Sequence, residues 1–411
     1  MTKITFTHYV DVISSSSMIA ITGLHLSSPA QSREETRTRA PEISDVAYRY
    51  TSSGTAILNH FTHGTDQSPM STQILICDDS ALARKQMARA LPAGLADDIR
   101  FATNGAEALQ ILRDHKAELL FLDLNMPEMD GYQVLEHIRK EDLPVLTIVV
   151  SGDIQPEARE RVRKLGAIDF IKKPTDTGLV TRLLEEYGFY RPGELETAAL
   201  KDSSLRSTVT QAREISVSLN DYLQEIANVA MGRSSDLLAR LLRVFVKQPI
   251  PKVAFIANSE LHMAISAAQQ GEAYSAVCQG FTGAGLAGEA LLLFEDASFQ
   301  EMAELLHYDV VEGEAVNVEV LMDMSSILFG AFLNGIGDQL DLKLGLGHPS
   351  VLGQHRPINE LLEHHSKREE QLLCIEISYA IENRDIHCDM LILFTEDSVP
   401  FLEKRLEYLV D

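Results

Sequence analysis

The sequence predicts an α/β protein in two folded parts: a five-stranded, doubly wound parallel sheet over residues 70–190, and a duplicated α/β unit with antiparallel strands over 219–411. Two observations carry that expectation. From 73 to 187, short apolar runs alternate with helical patterns in five rounds, which builds a parallel sheet with both faces covered and right-handed crossovers. Beyond 219 the chain repeats itself at an offset of 98 to 100 residues, the signature of two copies of one unit.

The strands of the first part are expected at Gln73–Cys77, Ile99–Ala102, Glu118–Leu122, Val145–Val150 and Asp169–Ile171. Helices are expected near 81–90, 105–114, 131–140, 156–165 and 177–187. Residues 1–69 hold 21 Ser or Thr with little periodicity, a composition that cannot offset its ordering entropy by burial, so this stretch is expected to be disordered. At Met70 the character changes abruptly, as it would at a second start; the sequence leaves open whether 1–69 is a genuine tail. A polar stretch, 191–218, reads as a linker.

In the second part, Leu291-Leu-Leu-Phe-Glu-Asp-Ala-Ser298 matches Leu391-Ile-Leu-Phe-Thr-Glu-Asp-Ser398. Asp221, Leu223, Glu225 and Gly232 align with Glu319, Leu321, Asp323 and Gly330, and Pro251-Lys-Val with Pro349-Ser-Val. Each copy should give a long helix, antiparallel strands and a short helix such as 299–306.

Charge narrows the function classes. Residues 191–411 carry 16 Lys or Arg against 34 Asp or Glu, a net -18 of the chain's -24. Phosphate backbones and anionic lipid would be repelled, so nucleic acid and membrane surfaces are poor partners. Four scattered cysteines without a C-x-x-C pair argue against a disulfide framework or thiolate zinc site. No run reads as a membrane span or a secretory signal, and the protein is expected in the cytoplasm. Gly283-Ala-Gly-Leu-Ala-Gly288 matches G-x-G-x-x-G but precedes a strand, Glu289–Phe294, so it reads as a hairpin turn. The histidines 348, 355, 364 and 365 read as loop and solvated helix.

The candidate chemistry lies at the strand ends. Asp78 and Asp79 end the first strand, Asp123 the third and Ser151 the fourth, and Lys173 follows the fifth. Side chains converge there above a doubly wound sheet. Three clustered carboxylates repel one another unless a cation sits among them, and hard oxygen ligands suit Mg²⁺. A lysine and a hydroxyl supply donors for an anionic phosphoryl group.

These residues, with Asp123-Leu-Asn-Met-Pro-Glu-Met-Asp-Gly131, Ser151-Gly152 and Lys173-Pro174, make residues 73–187 resemble the receiver domains of two-component response regulators. The resemblance implies that Asp123 accepts a phosphoryl group from a histidine kinase. It implies Mg²⁺ held by Asp78, Asp79, Asp123 and the backbone carbonyl of Asn125, with Lys173 pairing with the phosphate, Ser151 shifting toward it, and Phe170 as the switch aromatic.

On the helix starting near Leu219, positions 221, 225, 228, 232 and 235 share one face, opposite Leu223, Ile226, Ala227, Ala230 and Met231. Alone this is an ordinary amphipathic helix. Inside a duplicated unit, Asp221-x-x-x-Glu225-x-x-Asn228-x-x-x-Gly232 resembles the CheC-type phosphatases of bacterial chemotaxis, over residues 219–405. The resemblance implies an aspartyl-phosphate phosphatase acting on a phosphorylated CheY-like regulator, with Asn228 holding a water in line with the phosphate and Glu225 engaging the receiver lysine. In the second copy Asp323 and Ser326 stand at these positions, a degenerate site expected to be weak or dead. A CheD-like deamidase is a further implied partner. The rival reading is a non-enzymatic switch, in which the receiver is a phosphate sink and the acidic half binds partners. The basic cluster Arg159, Arg161, Arg163, Lys164, Lys172 and Lys173 is a candidate docking face for that half.

Overall fold

A computed structural model describes residues 48–50, 56–58, 72–92, 95, 99–114, 116–191, 217–257, 273–308, 314–356 and 371–410. The expected linker, apart from its ends, and the histidines 364 and 365 lie outside the described residues. Within 1–69, expected to lack order, Tyr48–Tyr50 and Ala56–Leu58 pair as two antiparallel strands.

The first part runs β1 (Ile74–Cys77), α1 (Ala81–Ala90), β2 (Ile99–Ala102), α2 (Gly105–Arg113), β3 (Leu119–Leu122), α3 (Gly131–Glu141), β4 (Leu146–Ser151), α4 (Pro156–Leu165), β5 (Asp169–Lys172) and α5 (Thr177–Glu186). The strands form one parallel sheet in the order β2-β1-β3-β4-β5. Alternate strand residues feed two cores. One face packs Leu75, Leu120, Leu122 and Val149 against α2, α3 and α4 through Leu109, Leu112, Val134 and Val162. The other packs Ile74, Ile76, Phe121 and Ile148 against α1 and α5 through Met87, Val180 and Leu184. Turn residues start the helices: Ser80, Asn104 and Asp176 each accept a backbone N–H, and Asp130 closes a capping box with Gln133.

The second part runs α6 (Leu219–Leu242), β6 (Val246–Lys247), β7 (Lys252–Ala257), β8 (Tyr274–Gly283), β9 (Leu286–Glu295) and α7 (Phe299–Leu305). It then repeats the order as α8 (Glu314–Leu340), β10 (Gly345–Leu346), β11 (Ser350–Arg356), β12 (Gln371–Ile381), β13 (His387–Phe394) and α9 (Val399–Val410). Eight strands make one antiparallel sheet with β8-β9-β13-β12 at its centre. β10 and β11 flank β8, whereas β6 and β7 flank β12; each half thus supplies the edge strands of the other. Leu291 lies opposite Leu391, with Ala290 opposite Ile392 and Leu292 opposite Met390, so exchanging the halves by 100 residues leaves this register unchanged. The turn of the G-x-G-x-x-G stretch joins β8 to β9.

α6 and α8 pack together on one face of the sheet. A methyl group at Gly335 would come within 3.0 Å of Ala230, and Gln339 Nε2 donates to the Ile226 carbonyl at 2.9 Å. Among the described residues, one helix, Ala315–Leu340, is long and apolar enough to cross a membrane by length and composition alone, although no such run was expected from the sequence. Its Val320, Leu321, Met324, Leu328, Phe329 and Phe332 are buried in this core. Leu82 of α1 enters the same core, so the two parts of the chain share buried apolar surface.

Candidate functional site

β1, β3 and β4 end side by side, so their final residues converge above the sheet. One oxygen from each of Asp78, Asp79 and Asp123 lies within 4.8 Å of the others. Lys173, carried there by the turn after β5, places Nζ 2.7 Å from Asp78 Oδ2 and 3.1 Å from Asp123 Oδ1. Asn125 donates its backbone N–H to Asp123 Oδ2 at 2.8 Å, which orients the carboxylate. Ser151 is buried at the end of β4 and accepts from the Asp153 N–H at 3.1 Å. Phe170 is half-buried on β5, with the Arg159 guanidinium 5.0 Å from its ring centre.

The fourth wall of this site is α6. Glu225 Oε1 lies 3.4 Å from Lys173 Nζ, so one ammonium faces three carboxylates, from Asp78, Asp123 and Glu225. Asn228 lies against the β4–α4 turn: a methyl group on Gly152 would come 3.1 Å from the Asn228 carbonyl oxygen. A methyl group on Gly232 would overlap the Gly152 carbonyl, 2.5 Å from its carbon. Two glycines therefore let the helix and the turn touch backbone to backbone. Farther out, Gln155 forms a reciprocal pair with the Val246 main chain, accepting its N–H and donating to its carbonyl, both at 2.9 Å. Gln224 donates to Asp79 Oδ2 at 3.4 Å. Arg161 pairs with Glu382 and lies over the Phe245 ring.

Burial controls the electrostatics. Asp123 is 3% exposed and Asn228 4%. Desolvation pushes Asp79 up to about 7, with Asp123 repulsion adding and Lys173 opposing. Asp78 is also raised, first by burial, and Lys173 only partly offsets this. Burial pulls Lys173 down, but Asp123, Asp78 and Glu225 outweigh it and hold the ammonium well above its usual range. Carboxylates that resist ionisation for want of positive charge are what a divalent cation relieves. Asp79 Oδ1 is buried without a hydrogen-bond partner. The donor set is therefore suited to Mg²⁺.

The structure brings Asp78, Asp79, Asp123, Ser151, Lys173, Glu225 and Asn228 together. Asp221, the first residue of the helix pattern, instead closes a capping box with Ser218. Asp323 and Ser326 lie on α8: Tyr308 donates to Asp323 at 2.6 Å, and the exposed Ser326 donates back to the Met322 carbonyl at 2.8 Å. The basic cluster is not a single docking face. Lys173 is buried inside the site because its turn points inward, Lys164 pairs with Glu160 on its own helix, and Arg161 reaches Glu382. Sequence reasoning missed Leu82 and Gln155; an apolar residue in the first turn of α1 was a weak signal for the former, and the latter had none.

Residues 74–185 match the response regulator receiver domain family, and this segment is a receiver domain, which places the chain in two-component signalling. The protein-glutamate methylesterase/protein-glutamine glutaminase 3 of Geobacter sulfurreducens is 38% identical over 104 residues, 25% of this chain and 28% of that protein. The probable C4-dicarboxylate response regulator DctR of Bacillus subtilis is 36% identical over 90 residues, 22% of this chain and 40% of that protein. The chain thus spans less than half the length of either relative. Among solved structures, a chain of the CheX-CheY-BeF3-Mg complex from Borrelia burgdorferi is 28% identical, with 28% of this chain and 89% of that chain covered at a TM-score of 0.27.

Proposed function

We propose that this protein is a phosphorylatable receiver with its own aspartyl-phosphate phosphatase helix docked on it, and that the two halves of the second part are copies of one CheC-like unit. Asp123 takes a phosphoryl group from a histidine kinase, and Asn228 with Glu225 promotes its hydrolysis. The observation that carries this reading is the α6 contact: Glu225 lies on Lys173, and the buried Asn228 Oδ1 has no hydrogen-bond partner. A buried carboxamide oxygen left unpaired costs about 1–3 kcal/mol, a penalty that a site tolerates when the group serves a bound water or ligand.

In the proposed hydrolysis, Asn228 orients a water toward the phosphorus, the bond between phosphorus and the Asp123 oxygen breaks, and inorganic phosphate leaves as the carboxylate is restored. Glu225 holds Lys173, the cation that would otherwise shield the phosphoryl group. Asp78, Asp79, Asp123 and the Asn125 carbonyl would hold Mg²⁺, which supplies charge neutralisation at phosphoryl oxygens. Because Asp123 is covered by α6, a kinase reaches it only when the helix lifts off, and the rate of phosphorylation is scaled by the open fraction. The tether keeps the two parts at about millimolar effective concentration, so redocking follows readily.

The test is the lifetime of the acyl phosphate on the intact chain. Asn228→Ala should lengthen it about 10²-fold or more, and the wild-type lifetime should not depend on protein concentration. An unchanged lifetime in Asn228→Ala would return the chain to the role of a passive phosphate sink. Action on a separate CheY-like regulator, or contact with a CheD-like deamidase, would require the same helix face after undocking.

A further inference from the structure

The register about Leu291 and Leu391 relates α6 to α8. Asn228 corresponds to Ser326 and Gly232 to Gly330, each 98 residues on, and Val246 corresponds to Leu346, 100 residues on. On the first side Asn228 and Gly232 of α6 lie against the receiver's β4–α4 turn, and Val246 of β6, 0% exposed, pairs through its main chain with Gln155. On the α8 side Leu346 is 38% exposed and Ser326 is exposed. A methyl group at Gly330 would meet nothing within 4 Å. Among the described residues, no part of the chain covers this face, and its own receiver is already seated on α6.

We propose that the α8 face docks the receiver domain of another molecule and binds it without dephosphorylating it. Glycine inside a helix is less favourable than alanine by about 1 kcal/mol. At Gly232 that is offset by backbone contact with the receiver turn, whereas at Gly330 nothing in the fold requires a missing side chain. The residue keeps open the close approach that its counterpart uses. Exposed Leu346 stands at the edge of the sheet where Val246 stands in the first half, and the exposed Glu319 offers a carboxylate to a receiver's site lysine. The chemistry is lost: the Ser326 hydroxyl turns back onto its own helix, Tyr308 holds Asp323, and no carboxamide is present to aim a water. This inference rests on the observed α6 contact for docking, and on the proposed role of Asn228 only for the absence of hydrolysis.

The test uses the full chain and, as probe, a labelled receiver segment of the same sequence, residues 70–191, which closes its own core on both faces of its sheet. Titration should show saturable binding of one probe per chain. Gly330→Arg should weaken binding at least about tenfold, a loss of about 1.4 kcal/mol. The melting temperature should be retained, since the new side chain enters open space. Phosphate loss from a phosphorylated probe should not be accelerated by the chain in an Asn228→Ala background, with Gly330 intact. Absence of binding, equal binding by Gly330→Arg, or probe hydrolysis that persists in Asn228→Ala would overturn the proposal. Failure of the phosphatase reading would instead appear in the lifetime on the chain's own Asp123, leaving the titration unaffected.

Discussion

Gly232→Ala separates the docked contact from the stability of the helix that makes it. The new methyl group would sit 2.5 Å from the Gly152 carbonyl carbon, and ordinary contact needs roughly 1 Å more. Backbone faces backbone here, so no side chain can turn aside, and α6 must retreat from the receiver. That movement breaks both Gln155–Val246 hydrogen bonds, about 1 kcal/mol each. It also uncovers Leu82, now buried in the second part's core, at about 2 kcal/mol. The Glu225–Lys173 pair is left out of this sum, because desolvation offsets much of a buried ion pair's attraction. About 4 kcal/mol lowers the docking constant about 10³-fold. Alanine favours the helix by about 1 kcal/mol, so a general loss of fold is not expected. Hydrogen exchange of the α6 and β4–α4 amides, read beside the acyl-phosphate lifetime, measures the effect: protection should fall and the lifetime should lengthen together. Wild-type protection and lifetime in Gly232→Ala would refute the docked arrangement as the state that hydrolyses.

Further outcomes follow from the same geometry. Asp123→Asn should abolish base-labile labelling by a small phosphodonor with Mg²⁺, since Asp78 and Asp79 are positioned as ligands; full labelling would exclude Asp123 as acceptor. Ser326→Ala should leave the phospho-Asp123 lifetime within about twofold of wild type, as a substitution outside the reacting site does. Burial, with Asp236 of α6 adding, raises Asp153 to about 6, against hydrogen bonds from Gln155 and the attraction of Arg161. A carboxyl raised in the docked state is more protonated there, so docking should tighten as pH falls from about 6 toward 4 and lose that benefit as pH rises through 6. Tyr132 also faces this group and stays neutral, burial holding it well above its usual value. Asp153→Asn should flatten this part of the pH dependence of α6 protection, while Asp79, which titrates nearby, remains in both proteins.

The receiver was legible because each of its signals was local. Strands such as Ile74–Cys77 and Leu119–Leu122 are continuous apolar runs, and their ends carry the acids directly in sequence. Helix starts were equally plain, since Ser80, Asn104 and Asp130 are capping residues followed by apolar periodicity. What escaped was nonlocal. Gln155 precedes Pro156 and reads as an ordinary helix start, yet its carboxamide is spent across the junction on Val246. The polar face of α6 is the pattern expected of a helix facing water; the resemblance implied that Glu225 engages a receiver lysine, and the fold adds that this lysine is the chain's own buried Lys173 and that Asn228 lies against the β4–α4 turn. The basic cluster misled because side-chain direction, not charge count, decides which cations reach the acidic part. Helix α8 has polar residues spaced along its apolar run, so no unbroken stretch marked it as a candidate span.

The exchange of edge strands has an evolutionary side. Because β6 and β7 complete the half containing β12, while β10 and β11 complete the half containing β8, neither half closes its sheet alone. A truncation after α7 would strip β8 of both partners on its outer side and leave β6 and β7 with no strand to join. On the proposed reading of the two halves as copies of one unit, residues such as Asp323 and Ser326 could lose their chemistry, whereas the element that carries them could not be discarded without opening the sheet. Persistence of the second half is thus assured by architecture, and its surface is free to acquire a different use.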